Sequence, residues 1–232
     1  MNSDSSFIKA LNRGSLPTPP IWYMRQAGRY MPEYQNVRKK FKNFLDMCKE
    51  PDVCCELALQ PINAFKLDAA ILFSDILTIP DSFGLGVEFV EKKGPVFNNP
   101  INSSSDINNL DHFDPESLDY VYKAVKNIKN SLPEEIPLIG FCGSPWTLAA
   151  YSIEGRSSKD FEKTLSFLES NQKDVHDLLI KYTAPVENNP PMTVLYVIDS
   201  PRNIEADKTA EKGTININDE ALSDPSLIVV IK

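Results

Sequence analysis

Nowhere in these 232 residues does an apolar run approach the roughly 20 residues that a membrane-spanning helix needs. The opening Met1-Asn2-Ser3-Asp4-Ser5 also lacks the basic-then-apolar pattern of a secretory leader. Both absences predict a cytoplasmic chain with no membrane partner. Excess positive charge is missing as well: 24 Lys and Arg stand against 32 Asp and Glu, a net charge of −8. Nucleic-acid binding depends on neutralising phosphates with Lys and Arg, so that class is set aside. Histidine is scarce, with His112 in a predicted loop and His176 on a predicted helix face, and neither is assigned a role. The four cysteines, Cys48, Cys54, Cys55 and Cys142, form no CxxC pair and have no histidine at zinc-ligand spacing. They are expected to be reduced, mostly buried thiols, and no metal is expected. No internal repeat or low-complexity array appears. What remains, 42% hydrophobic and 24% charged, is the composition of a globular chain long enough to bury a core.

What is present is one dense block. An apolar run at residues 21–24 emerges from the proline-rich Leu16-Pro17-Thr18-Pro19-Pro20 and reads as a short buried strand. It gives way to Arg25 and Arg29, with Gly28 directly before the second. Arginine offers a planar fork of donors and stays charged at any working pH. Glycine allows close backbone approach or a positive φ. From the residues alone, the two arginines are either solvated charge on a first helical turn or a double clamp for an anion. The acidic background does not count against the clamp, because a few convergent arginines in a cleft focus a local positive field.

Along the chain, a serine caps a short amphipathic helix over 5–13 with Phe7, Ala10 and Leu11 on one face, and Gly14 stops it. The basic stretch Asn36-Val37-Arg38-Lys39-Lys40-Phe41-Lys42 is a solvated helix face or an added attraction for a carboxylated ligand. Pro51 and Asp52 open a helix that Pro61 kinks or restarts on its way towards Phe65. The continuous apolar run 69–73 has the pattern of a strand buried on both faces, and helix, strand and helix in succession predict a parallel α/β sheet. Residues 87–90 read as a hairpin strand and 98–109 as polar loop. Asp114-Pro115-Glu116 opens a helix whose buried stripe is Leu118, Val121, Val125 and Ile128. Residues 137–141 form the next buried strand, which Gly143-Ser144-Pro145 turns into a helix through Tyr151. Helical texture continues over 159–168 and 174–182. Residues 184–191 have the composition of a linker. The β-like runs 194–198 and 227–231 follow with no helical crossover visible between them, as parallel strands would require. The expected organisation is a unit over 1–183 and a separate tail over 184–232.

Met24-Arg25-Gln26-Ala27-Gly28-Arg29-Tyr30, followed by Pro32-Glu33-Tyr34, resembles the N-terminal motif of the uroporphyrinogen decarboxylase family. Asp68-Ala69-Ala70-Ile71-Leu72-Phe73-Ser74-Asp75-Ile76-Leu77 with Gly84-Leu85-Gly86 resembles a second block of that family. Leu138-Ile139-Gly140-Phe141-Cys142-Gly143-Ser144-Pro145-Trp146-Thr147-Leu148 resembles a third. The resemblance runs from about residue 15 to Tyr182 and implies a (β/α)₈ barrel of the TIM type, an α/β fold that takes about 250 residues. The family's later strand-end serine region and its Asn-Leu-Gly-His-Gly motif have no counterpart, so an incomplete N-terminal part of the barrel with an unassigned tail is expected. Catalytic groups of such barrels sit just past the C-terminal ends of strands. Arg25 and Arg29, then Asp75, then the Gly143 turn leading to Tyr151 all obey that placement.

The resemblance implies cofactor-independent decarboxylation of the four acetate side chains of uroporphyrinogen, giving coproporphyrinogen. Asp75 would accept the pyrrole N–H groups and stabilise developing positive charge. Arg25 and Arg29 would pair with substrate carboxylates, Tyr151 would orient Asp75 by a hydrogen bond, and Gln26, Ala27 and Phe73 would line the pocket. Taken singly, Asp75 also reads as a helix N-cap and Tyr151 as a core aromatic. The resemblance further implies a homodimer. Two other classes stand beside it. One is a catalytically inactive fragment or fusion that binds porphyrinogen or a partner. The other is a cobamide-linked methyltransferase of related fold, which needs a zinc thiol or imidazole cluster that the cysteine and histidine spacing does not offer.

Overall fold

A computed structural model of the chain describes residues 5–23, 29–90, 93–110 and 113–187, together with strand segments at 195–198 and 227–231. The Ser5 hydroxyl accepts the Ile8 N–H and starts α1, Ser6–Leu11. Arg13, with φ 58°, takes the left-handed position after it. Gly14 is needed for closeness: its N–H meets the Lys9 carbonyl at 2.8 Å, and a Cβ there would lie 2.7 Å from Lys9 Cγ.

The apolar run that follows corrects the sequence reading. Residues 21–23 form no strand, and Ile21 and Tyr23 are 51% and 59% exposed. The segment is held by one rung to Asp68, whose carboxylate accepts the Ile21 N–H at 2.7 Å while the Ile21 carbonyl accepts the Asp68 N–H at 2.8 Å. Only Trp22 packs inward, edge-on to Phe7 at 6.5 Å. Apolar character records what a residue can bury, and here one rung at the sheet margin leaves two of the three side chains uncovered.

Helices α2 (Pro32–Arg38), α3 (Phe44–Cys48) and α4 (Pro51–Ala64) come next, α4 running unbroken through the buried Pro61. Strand β1 (Ala70–Ile71) is followed by the short α5 (Thr78–Ser82), which contains Pro80. The antiparallel hairpin of β2 (Val87–Val90) and β3 (Gly94–Phe97) forms as expected. The stretch read as loop at 98–109 contains α6 (Ser104–Asn108), because Ser103 and Asp106 form a capping box in which each side chain accepts the other's backbone N–H. Removing the hydroxyl with Ser103→Ala is expected to lower stability by about 1 kcal/mol, read as an earlier urea midpoint with an unchanged slope.

A 3₁₀ turn at Pro115–Leu118 leads into α7 (Asp119–Ser131), with Ala124, Val125 and Ile128 buried. Then come β4 (Leu138–Cys142), α8 (Pro145–Glu154), α9 (Glu162–Ser170) and α10 (Gln172–Glu187). Helix α10 carries the chain through Pro185, so residues 184–187 of the expected linker are helical. The tail runs also form strands, β5 (Leu195–Ile198) and β6 (Leu227–Ile231).

One sheet, in the order β1-β4-β6-β5, is parallel throughout. The tail runs are therefore parallel neighbours after all, and the stretch 199–226 is long enough for the dozen or so residues such a connection takes. The fold is mixed α/β. Leu57, Ile128, Leu72 and Leu138 form one core where α4 and α7 meet the sheet. A second core joins Leu85, Leu148, Ile153, Leu178 and Tyr182, whose hydroxyl meets Ser152 Oγ at 2.7 Å. Each such fully buried apolar side chain contributes about 1.5–3 kcal/mol. No helix among the described residues is long and apolar enough to cross a membrane.

Candidate active site

Strands β1 and β4 run parallel with Ala70 opposite Leu138, so the turns that leave them lie side by side. The contact is close. Gly143 is buried, and a Cβ on it would stand 3.3 Å from Ile76 Cβ and 2.4 Å from Leu148 Cδ2. Ser144 then caps α8, its hydroxyl accepting the Thr147 N–H at 3.2 Å. The Gly143-Ser144-Pro145 turn and the Asp75-Ile76-Leu77 turn form one floor.

Asp75 Oδ1 accepts the Leu77 N–H at 2.8 Å, and the Asp75 carbonyl accepts the Thr78 hydroxyl at 3.1 Å. This turn launches α5 with Leu77 in the cap position, so Asp75 does the local work of a capping residue from two positions upstream. Its other carboxylate oxygen accepts no hydrogen bond among the described residues. Burial raises the Asp75 carboxyl to about 6, against the opposing pull of the Leu77 N–H. The nearby walls are neutral. Burial, followed by the charges of Cys54 and Asp75, pushes the Cys48 thiol far up, and burial does the same for the Tyr120 phenol.

Phe73, two residues before Asp75, is buried between Tyr34 and Phe44, with ring centroids 6.4 and 5.6 Å away. Tyr34 lies within the fields of two arginines. Burial raises its phenol, while the guanidinium fields of Arg29 and Arg38 act to lower it. Arg29 itself is exposed, and its carbonyl accepts a hydrogen bond from Gln35 Nε2. Tyr34 thus lies within the field of both arginines while its ring packs on Phe73, two residues before Asp75. Neither Tyr34 nor Phe44 was singled out from the sequence, although aromatics at 34, 41 and 44 around a basic stretch were the available signal.

Tyr151 is half-buried on α8, its ring edge-on to Phe161 at 5.8 Å. It makes no hydrogen bond to Asp75, whose partner is the Leu77 N–H, so the expected orienting bond is replaced by a backbone one. Arg25, Gln26 and Ala27 lie outside the described residues. The described geometry offers a desolvated carboxylate with one oxygen to spare, an aromatic wall and a cationic rim. Such a site suits a ligand with N–H groups at its centre and anionic groups at its edge.

The family model for uroporphyrinogen decarboxylase matches residues 2–187. The chain is 50% identical over 185 residues to the uroporphyrinogen decarboxylase of Legionella pneumophila (strain Lens), covering 79% of this chain and 53% of that one. It is 47% identical over 195 residues to the uroporphyrinogen decarboxylase of Francisella tularensis subsp. novicida (strain U112), covering 83% and 54%. The chain spans about half the length of the curated relatives it matches. Among solved structures it resembles a methyltransferase from Methanosarcina mazei, with TM-score 0.61 and 15% identity over 99% of this chain and 69% of that one. At that identity the likeness is one of fold.

Proposed function

The chain belongs to the uroporphyrinogen decarboxylase family, and we propose that it serves in removing carbon dioxide from the acetate side chains of uroporphyrinogen, giving coproporphyrinogen without metal or organic cofactor. The observation that carries this reading is Asp75, a carboxylate raised by burial just past β1 with one oxygen that accepts no hydrogen bond among the described residues.

The chemistry needs a place for an electron pair. Protonation of a pyrrole carbon makes the ring cationic; the bond to the carboxylate then breaks, its electron pair enters that ring, and carbon dioxide leaves. A proton added to the resulting methylene carbon and loss of the ring proton leave a methyl group. Asp75 accepts the pyrrole N–H groups and stabilises the cationic ring, a preorganised electrostatic effect of about 3 kcal/mol per group in mutational series. Arg25 and Arg29 pair with substrate carboxylates, where losing one partner of a desolvated pair costs roughly 2–5 kcal/mol. Tyr151 closes the site from α8, and Gln26, Ala27 and Phe73 complete the lining.

On this reading the sheet is part of a (β/α)₈ barrel, residues 1–183 carry the N-terminal half of the site, and the chain beyond the matched 2–187 is a tail outside the family pattern. The chain works in the cytoplasm as a homodimer. The test is anaerobic incubation of the purified chain with uroporphyrinogen, followed by oxidation and porphyrin chromatography, with Asp75→Asn alongside. Coproporphyrin from the wild type and none from the variant supports the enzyme. No product from folded protein overturns it and leaves an inactive porphyrinogen-binding or interaction module.

A further inference from the structure

We propose that the turn at residues 39–42 is an electrostatic collector, with Lys39, Lys40 and Lys42 drawing polycarboxylated tetrapyrroles to the mouth of the site; the ligand class rests on the function proposed above. From residue 29 to 46 five cations, Arg29, Arg38, Lys39, Lys40 and Lys42, stand against two acids, Glu33 and Asp46, in a chain of net charge −8. The three lysines are exposed. Among the described residues none of the three forms an ion pair with a carboxylate.

The turn is built to hold these charges in place. Arg38 donates from Nη1 to the Phe41 carbonyl at 2.6 Å and from Nη2 to the Lys42 carbonyl at 3.5 Å. The Lys39 and Lys40 N–H groups donate to the Gln35 and Val37 carbonyls at 3.1 and 3.0 Å, and Phe41 packs against the core between the lysines. Arg38 is engaged by backbone, which leaves the lysines as the outward charges. The turn is also fastened to the site, since Tyr34 before it and Phe44 after it both rest on Phe73, two residues from Asp75. A lysine ammonium is a compact, hydrated point charge on a flexible stem, suited to attraction at a distance where an arginine fork suits clamping. Its field reaches about 10 Å at 0.1 M salt and further below that. Charges in such a position act on association and its salt dependence.

Stopped-flow fluorescence with uroporphyrin as the probe tests this on the whole chain, comparing wild type with the combined Lys39→Gln, Lys40→Gln, Lys42→Gln variant. At about 20 mM salt the variant is expected to associate roughly five- to tenfold more slowly, with the gap closing at about 0.5 M and dissociation unchanged within about twofold. Coproporphyrin, which has lost the acetate carboxylates, should show a smaller gap. Substitutions at exposed lysines scarcely change stability, so the variant folds. Reversal to Glu at the same positions should deepen the association defect. Equal association rates with equal salt dependence overturn the collector, as does a defect confined to dissociation. Decarboxylation by a chain whose capture ignores the lysines leaves the enzyme standing and the collector refuted. Lysine-dependent capture without decarboxylation does the reverse, and a wild type that binds no uroporphyrin refutes both.

Discussion

Asp75→Asn is expected to lower decarboxylation by about 10²–10³-fold while raising the stability of the chain near pH 8 by about 1–2 kcal/mol. The opposition follows from one cause. In the folded chain the Asp75 carboxyl sits at about 6, raised by burial, whereas in an unfolded chain it titrates near 4. Between those values the folded state holds a proton that the unfolded state has lost, so Asp75 makes stability fall as pH rises from about 4 to about 6, and the deficit persists above. Each pKa unit is worth 1.36 kcal/mol, and the figure is reduced because the half-buried carboxylate keeps some water. Asparagine has no charge to desolvate, and its Oδ1 can still accept the Leu77 N–H that forms the turn. Urea melts near pH 3 and pH 8 should therefore show the variant's advantage at the higher value and almost none at the lower. The wild-type rate should fall as pH drops through about 6, where the carboxylate proposed to accept the pyrrole N–H groups becomes protonated. A variant that is active, or no more stable at pH 8, refutes this account of Asp75.

Gly143→Ala is expected to destabilise the fold by about 1–3 kcal/mol and to reduce turnover by roughly 10²-fold. The added methyl would stand 2.4 Å from Leu148 Cδ2, 2.9 Å from Leu148 Cγ and 3.3 Å from Ile76 Cβ. Leu148 is fully buried and cannot swing clear. Ile76 Cβ is one bond from the backbone, so it yields only if the turn bearing Asp75 moves. A displacement of about 1 Å at a reacting group is enough for a loss of that size. A double-mutant cycle separates clash from mere disturbance: with Leu148→Ala already present, adding Gly143→Ala should destabilise less than it does alone. Strict additivity would show that the methyl does not meet Leu148.

The elements read correctly from sequence were those whose signal is local. The serine cap of α1, the β2–β3 hairpin, the α7 stripe and the β4 strand with its Gly143-Ser144-Pro145 exit each carry their instructions within a few residues. Helix α6 was missed because the Asn/Ser-rich 98–109 reads as polar loop, although Ser103 and Asp106 at capping-box spacing were there to be seen. The run 21–24 misled for the opposite reason, since an apolar composition does not say what will cover it. For the site, Asp75 and the Gly143 turn were placed by the rule of strand ends, and the two turns do touch. The packing of Tyr34 on Phe73, two residues before Asp75, was not legible. It is made of ring contacts between residues about 40 apart in the chain, which no local pattern encodes.

The strand order has a bearing on synthesis. β5 leaves the ribosome before β6, yet β6 lies between β4 and β5. Until β6 emerges, β5 has no neighbour in the sheet, and the edge of β4 that will receive β6 stays unpaired. A nascent chain halted between residues 198 and 227 thus displays two unsatisfied strand edges at once, the condition under which growing chains aggregate or recruit chaperones.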